Sequence, residues 1–284
     1  MQHQASQQQQ QRKYIEEVTD LRSSCPESSL MNIKQQHPEC RWYLRSKVGQ
    51  GAVATVYQAC CNNDCKFVAK VLSSPNVERL REKVNHEVEM HERFEKLGLA
   101  PKVHDAWLCN HEAIIIMDKL HMSIPEYVKY MVGRVDNVEV VVRDLQRRVN
   151  EALLKAHQAG LVHGDTHLGN FMVKLDEAGN VIEDVQLIDF AHAKDVGVRL
   201  AMSSDTENAD EIRMSFDKLL RDVKVFDSMV QQGEVQPYES MTYQPATPVT
   251  PMINRRPRDI RTPQTPQGLP KKRLNFFAMD DDEE

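Results

Sequence analysis

Two polar clusters at the ends of a short apolar hairpin constrain this chain more than any other feature. His163-Gly164-Asp165-Thr166-His167-Leu168-Gly169-Asn170 leads into the strand-like run Phe171 to Lys174. Val185 to Ile188 then leads out into Asp189-Phe190-Ala191. A polar Asp-Glu-Ala-Gly-Asn turn separates the two runs. Two carboxylates, an amide and two imidazoles therefore stand at strand boundaries, and the remaining chain must supply the elements that hold them there.

Upstream, Leu44 to Val48, Thr55 to Cys61 and Cys65 to Leu72 are rich in β-branched and aromatic residues. Asn62-Asn63-Asp64 supplies the hairpin turn between the last two. The spacing of Val77, Leu80, Val84, Val88, His91 and Phe94 predicts a helix that Gly98 and Pro101 end. Val138, Val142, Leu145, Val149, Leu153 and Ala156 predict a second, stopped by Gly160. A third carries Ile212, Phe216, Leu219, Val223, Phe226 and Val230. A sheet with one helix, followed by mainly helices around a hairpin, is an α+β pattern in two lobes.

The ends read differently from the middle. Residues 1–40 include the run Gln7 to Gln11 and are too polar for a core, so they are expected to be a disordered lead-in, at most with one short helix. Eight of the thirteen prolines follow Val235, which makes 236–284 an expected disordered tail with basic and acidic clusters. The core then spans about residues 41 to 235, divided into an N-terminal lobe at 41–117 and a hinge with a short C-terminal lobe at 118–235. The net charge of −6 is modest, and nothing in it suggests nucleic-acid binding. The apolar run Ala113 to Met117 is far too short to span a bilayer, and the Gln-rich start lacks the apolar core of a secretory signal. A cytoplasmic or nuclear location is expected, with the six cysteines reduced, and Cys60, Cys61 and Cys65 lack the paired knuckles of a zinc site.

Two further elements carry chemistry. Val48-Gly49-Gln50-Gly51-Ala52-Val53-Ala54-Thr55-Val56-Tyr57 lies between the first two strands, where glycines let backbone N–H groups approach phosphate oxygens and a valine can cover a base. Val68-Ala69-Lys70-Val71 sets a lysine in an apolar strand. That lysine serves either a phosphate and a carboxylate partner, or merely reaches water from an edge strand. Glu87 is the candidate partner, with Glu89 as the fallback.

Leu161 to Val173 resembles the H-R-D-x-x-x-x-N catalytic loop of the protein-kinase-like superfamily, and Leu187-Ile188-Asp189-Phe190-Ala191 resembles its D-F-G. The resemblance implies a bilobal kinase-like fold, a phosphotransferase activity, and ATP and Mg²⁺ as cofactors. It makes Asp165 the base that takes the acceptor hydroxyl's proton, and Asn170 and Asp189 the metal ligands. It makes Lys70 the contact to the α/β-phosphates and Glu87 its ion-pair partner, with His163 as scaffold of the loop. Gly49, Gly51 and Val56 then line the nucleotide, Met117 lies at the back of the adenine pocket, and Asp118 and Leu120 belong to the hinge.

Departures from the family narrow the reading. Gly164 replaces the arginine that in many protein kinases receives a phosphorylated activation loop, which implies constitutive or partner-controlled activity. His167 stands where serine/threonine kinases usually carry lysine, and no A-P-E follows. It is either a contact to phosphate or substrate or an ordinary polar loop residue. Such a loop resembles those of RIO-type, aminoglycoside and choline kinases, and the short helical lobe resembles that of RIO and KEOPS-complex kinases. Protein serine or threonine is the expected acceptor, with a small-molecule kinase or a nucleotide-binding scaffold as alternatives. In the tail, Thr247, Thr250, Thr262 and Thr265 precede proline, and Lys272-Arg273-Leu274-Asn275-Phe276 resembles a cyclin-docking peptide. Lys272, Leu274 and Phe276 would be its anchors, for a cyclin or a proline-directed kinase. The same basic run also fits a nuclear import signal or a solvated charge cluster.

Overall fold

The computed structural model describes residues 20–51, 53–176, 179, 182–203 and 205–236, the last span without the side chains of 205–208. The Gln-rich run, the four Thr-Pro sites and the docking motif at Lys272, Leu274 and Phe276 lie outside the described residues.

An antiparallel sheet of six strands forms the first half: β1 (Leu30–Gln35), β2 (Trp42–Gln50), β3 (Ala54–Cys61), β4 (Asp64–Ser73), β5 (Val103–Cys109) and β6 (Glu112–Asp118), ordered β1-β5-β6-β4-β3-β2. The β3–β4 hairpin turns at Asn62, whose φ of 54° is one that asparagine tolerates. Helix α1 (Val77–Lys96) starts where the Asn76 side chain accepts the Arg79 N–H at 2.9 Å. It lays Leu80, Val84 and Val88 on Leu72, Val103, Ile115 and Met117. The opposite face of the sheet buries Trp42, Phe67, Trp107, Ile114 and Ile116. Successive residues of a strand face opposite sides, so Ala113 to Met117 is unbroken apolar because both faces of β6 are covered.

What covers the second face is a correction to the sequence reading. Part of the expected disordered lead-in is ordered: Leu30–Gln35 form β1 on the edge of β5, and Leu21, Leu30 and Cys40 pack against the Trp42–Trp107 cluster. Asp105, with no exposed surface, fixes the segment by accepting the Gln36 N–H at 2.9 Å, the His37 N–H at 3.4 Å and the Trp42 Nε1–H at 2.5 Å. Three donors on one carboxylate replace the water it loses. From there the His37 and His104 rings meet at 3.1 Å, and His104 reaches the Asp118 carboxylate at 2.7 Å.

The expectation of free thiols is also corrected, because all six cysteines are paired. Cys25 joins Cys109, Cys40 joins Cys61, and Cys60 joins Cys65. Strand alternation explains how adjacent cysteines serve different bridges: Cys60 and Cys61 face opposite sides of β3. Among the described residues, no helix is long and apolar enough to cross a membrane.

The second half holds α2 (Ile124–Met131), α3 (Val138–Gln158), α4 (Val198–Ser203) and α5 (Asp205–Gln231). Short strands lie among them: β7 (Met122–Ser123), β8 (Leu161–Val162), β9 (Phe171–Leu175), β10 (Ile182–Leu187) and β11 (Lys194–Asp195). Val142, Leu145, Val149, Leu153 and Ala156 of α3 pack against Phe171, Val173, Leu187, Ile212, Phe216 and Val223. β9 pairs with β10 and β7, and β8 pairs with β11, which sets both polar clusters on one side of that core.

Candidate active site

Register carries the first group of residues into place. Gly49 pairs with Val56, and Val56 pairs with Lys70, so the three lie in a row across β2, β3 and β4. β4 is an interior strand and Lys70 is 8% exposed, which rules out a lysine reaching water from a sheet edge. Glu87 follows Leu80 and Val84 on the buried face of α1 and is 2% exposed. Its Oε1 meets Lys70 Nζ at 2.6 Å, whereas Glu89 pairs with Arg93 at 3.0 Å. Lys70 Nζ also reaches Asp189 Oδ1 at 2.8 Å, and this contact connects the sheet to the second half of the chain.

The second group is organised by local hydrogen bonds. Leu168–Asn170 form one 3₁₀ turn that the His167 side chain caps. Asn170 donates its amide to Asp165 Oδ2 at 2.9 Å and to the Asp165 carbonyl at 3.0 Å. Ile188 N–H donates to the Asn170 carbonyl at 3.0 Å, and the His163 Nε2–H donates to the Ile188 carbonyl at 2.9 Å. Asp189, next in the chain, adopts φ +65°. Behind it, Phe190 is fully buried between Phe94, His91 and His163, with ring centroids 4.8, 4.7 and 5.2 Å away.

Burial and charge oppose each other at these groups. Burial pushes the Lys70 ammonium toward neutrality, but the Glu87 and Asp189 carboxylates outweigh it and leave its pKa raised. Burial lifts the Glu87 carboxyl, so its charge depends on the ammonium beside it. It works to lift Asp189 as well, yet Lys70 and the Ala191 N–H hold that carboxyl below its ordinary value. Burial lowers His163, which favours the neutral ring of a scaffold residue.

The oxygens present suit a hard cation. The Asn170 amide nitrogen is committed to Asp165, which turns its Oδ1 away as an acceptor, and Asp189 has a second carboxylate oxygen beyond the one facing Lys70. Residues Asn170 and Asp189 therefore have the donor set for Mg²⁺. Met117 is 7% exposed opposite Val68, and Leu120 is 8% exposed. The Asp118 carboxylate is turned to His104, a contact that local spacing gave no sign of. Gly51 closes its loop with a hydrogen bond to the Ala54 carbonyl at 2.9 Å.

Sequence reasoning also missed how the segment after Phe190 is fastened. His86 Nε2 meets the Ala193 carbonyl at 3.0 Å, Arg93 pairs with Asp195, and β11 pairs with β8. Gly164, at φ +79°, allows this path: a Cβ there would lie 2.4 Å from the His192 carbonyl oxygen. An arginine could not occupy that position without displacing the segment. His86 directly precedes Glu87, but nothing in the spacing marks a partner more than a hundred residues away.

A family model of the protein kinase domain matches residues 42–208. The chain is 27% identical over 165 residues to "Serine/threonine-protein kinase zyg-8" of Caenorhabditis elegans, a match covering 56% of this chain and 20% of that protein.

Proposed function

This chain belongs to the protein kinase domain family, and on that premise we propose that it transfers the γ-phosphate of ATP, with Mg²⁺, to serine or threonine on protein. The observation that carries the proposal is the pair of linked clusters, Lys70–Glu87–Asp189 and Asp165–Asn170, assembled from both halves of the chain. Asp165 accepts the acceptor hydroxyl's proton. Lys70, held by Glu87, contacts the α/β-phosphates. Asn170 and Asp189 hold Mg²⁺, which when bound supplies positive charge against the phosphate oxygens. Gly49, Gly51 and Val56 line the nucleotide, and Met117, Asp118 and Leu120 border the adenine. The similarity to a serine/threonine-protein kinase supports serine or threonine, over a match spanning a fifth of that protein's length.

The test is phosphate transfer from labelled ATP with Mg²⁺ to protein, the chain itself included, with phosphosites read by mass spectrometry. Asp165→Asn is expected to lower transfer by about 10²–10⁴-fold, and Lys70→Ala is expected to abolish most of it. A wild type that transfers nothing, or an Asp165→Asn chain that transfers equally, would sink the proposal. Preferential labelling of a metabolite would move the acceptor to small molecules, and tight ATP binding without turnover would leave a scaffold.

A further inference from the structure

His37-Pro38-Glu39-Cys40 folds into a turn closed by the Cys40 N–H, which donates to the His37 carbonyl at 3.1 Å, with Pro38 presetting its second position. The turn is fastened on both sides, since Asp105 accepts the Gln36 and His37 N–H groups before it and the Trp42 indole N–H after it. A ring nitrogen of His37, a carboxylate oxygen of Glu39 and the Cys40 sulfur converge there, all within 4.8 Å of one another. Hydrogen bonding fixes how His37 meets them. The Asp118 carboxylate can only accept, so His104 Nε2 carries the hydrogen of their 2.7 Å contact. In the neutral ring His104 Nδ1 is then an acceptor, and His37 Nε2 donates to it at 3.1 Å. That leaves a bare lone pair on His37 Nδ1, 3.1 Å from Glu39 Oε1, which is an acceptor as well. Two electron-rich atoms face each other with no hydrogen between them, a pairing that attracts a cation.

We propose that His37 Nδ1, the Glu39 carboxylate and the Cys40 thiolate form a binding site for a borderline divalent metal ion of the Zn²⁺ class, made available when the Cys40–Cys61 bridge is reduced. Nitrogen, oxygen and sulfur together suit zinc, whereas hard cations such as Mg²⁺ take oxygen alone. Only a thiolate ligates, so the bridged sulfur of Cys40 does not serve. A dithiol opens the bridge by exchange: its two sulfurs join, the Cys40–Cys61 bond breaks, and its two hydrogens end on Cys40 and Cys61. Metal binding then releases the Cys40 hydrogen as a proton and forms the sulfur–metal bond. Asp105 still holds the turn after the bridge opens, and the exposed Glu39 and freed Cys40 side chains rotate to close the remaining distance. Water completes the fourth position. His104 is a positioning residue, because its link from His37 to the Asp118 carboxylate orients the ligating ring. The site does not depend on phosphate transfer, so a chain without kinase activity would leave it standing.

The test is metal binding by the full chain, with thermal unfolding to confirm that each variant is folded. Reduced with a dithiol and then freed of it under nitrogen, the wild type is expected to take up about one Zn²⁺ by calorimetry, and the oxidised chain to bind at least about 10-fold more weakly. Cys61→Ser leaves Cys40 unbridged and should bind Zn²⁺ without any reductant, while Cys40→Ser, with the same number of thiols, should not. With Co²⁺ as the probe, Cys61→Ser should show a thiolate-to-cobalt absorption band that Cys40→Ser lacks. His37→Ala in the Cys61→Ser chain should abolish most binding, and His104→Ala should weaken it by about 10- to 10²-fold. A reduced wild type that takes up no Zn²⁺ would overturn the proposal. So would equal uptake by Cys40→Ser and Cys61→Ser, or uptake indifferent to His37→Ala, since the ion would then sit elsewhere.

Discussion

Replacing Gly164 with alanine tests whether the segment after Asp189 is held by close backbone contact. Two separate penalties act at this position. A non-glycine residue at φ +79° costs about 1–2 kcal/mol in backbone strain. The added Cβ also falls 2.4 Å from the His192 oxygen and 3.1 Å from its carbonyl carbon, both backbone atoms that no rotamer change can move. Overpacking of this kind costs about 1–3 kcal/mol. Together they amount to about 2–5 kcal/mol, or a fall in unfolding midpoint of roughly 10 °C for a domain of this size. Gly98→Ala is the internal control, since φ there is +70° but nothing lies within 4 Å of the new Cβ. It carries the strain alone. Thermal unfolding of the three chains, with phosphate transfer measured alongside, gives the comparison. Gly164→Ala should be less stable than Gly98→Ala and lose transfer, because moving His192 disturbs Asp189. Equal midpoints for the two variants, or full activity in Gly164→Ala, would refute the reasoning.

The pH dependence of stability should carry a signature of His91. Burial lowers its pKa to about 4, while its Nε2–H donates to the Pro101 carbonyl at 2.7 Å. In the unfolded chain the ring titrates near 6.5, so between the two values the unfolded state binds more protons and stability falls as pH falls. The contribution is fully present above about pH 6.5 and about 3 kcal/mol is lost on passing down through pH 4. Urea unfolding from pH 7 to pH 4 should show a shallower slope for His91→Gln, and identical slopes would contradict the assignment. The disulfides make a second prediction. Bridges closing 84 and 21 residues contribute about 3–5 kcal/mol each through the unfolded chain. Paired Cys25→Ser and Cys109→Ser replacement should lower the midpoint by roughly 10 °C. Ready alkylation of all six thiols in the native protein would show that the bridges are not there.

The legibility of this chain followed distance along the sequence. Asp165, Asn170 and Asp189 were readable because their relation is set by one turn and one hairpin, both local. Lys70 and Glu87 were readable because a charge inside a strand demands a partner, and helix periodicity offered Glu87 and Glu89; burial then selected Glu87. β1 was not readable, since its edge pairing with β5 and the Asp105 carboxylate that anchors its neighbours lie far along the chain. The cysteine pairs were hidden for the same reason: their uneven spacing shows a framework only once the strands are placed side by side. Helix α2, at eight residues and with proline in its first turn, is too short to display a period.

The Cys25–Cys109 bridge also determines where the chain gives way under tension. A pull between residue 20 and residue 236 would travel through the sulfur–sulfur bond and skip everything from residue 26 to residue 108, so Gly49, Lys70 and Glu87 sit in a shielded covalent ring. Asp165, Asn170 and Asp189 lie on the tensioned path beyond it. Stretching would therefore load interior strand β6 and the Asp165–Asn170–Asp189 half directly, while Gly49, Lys70 and Glu87 carry tension only through their neighbours.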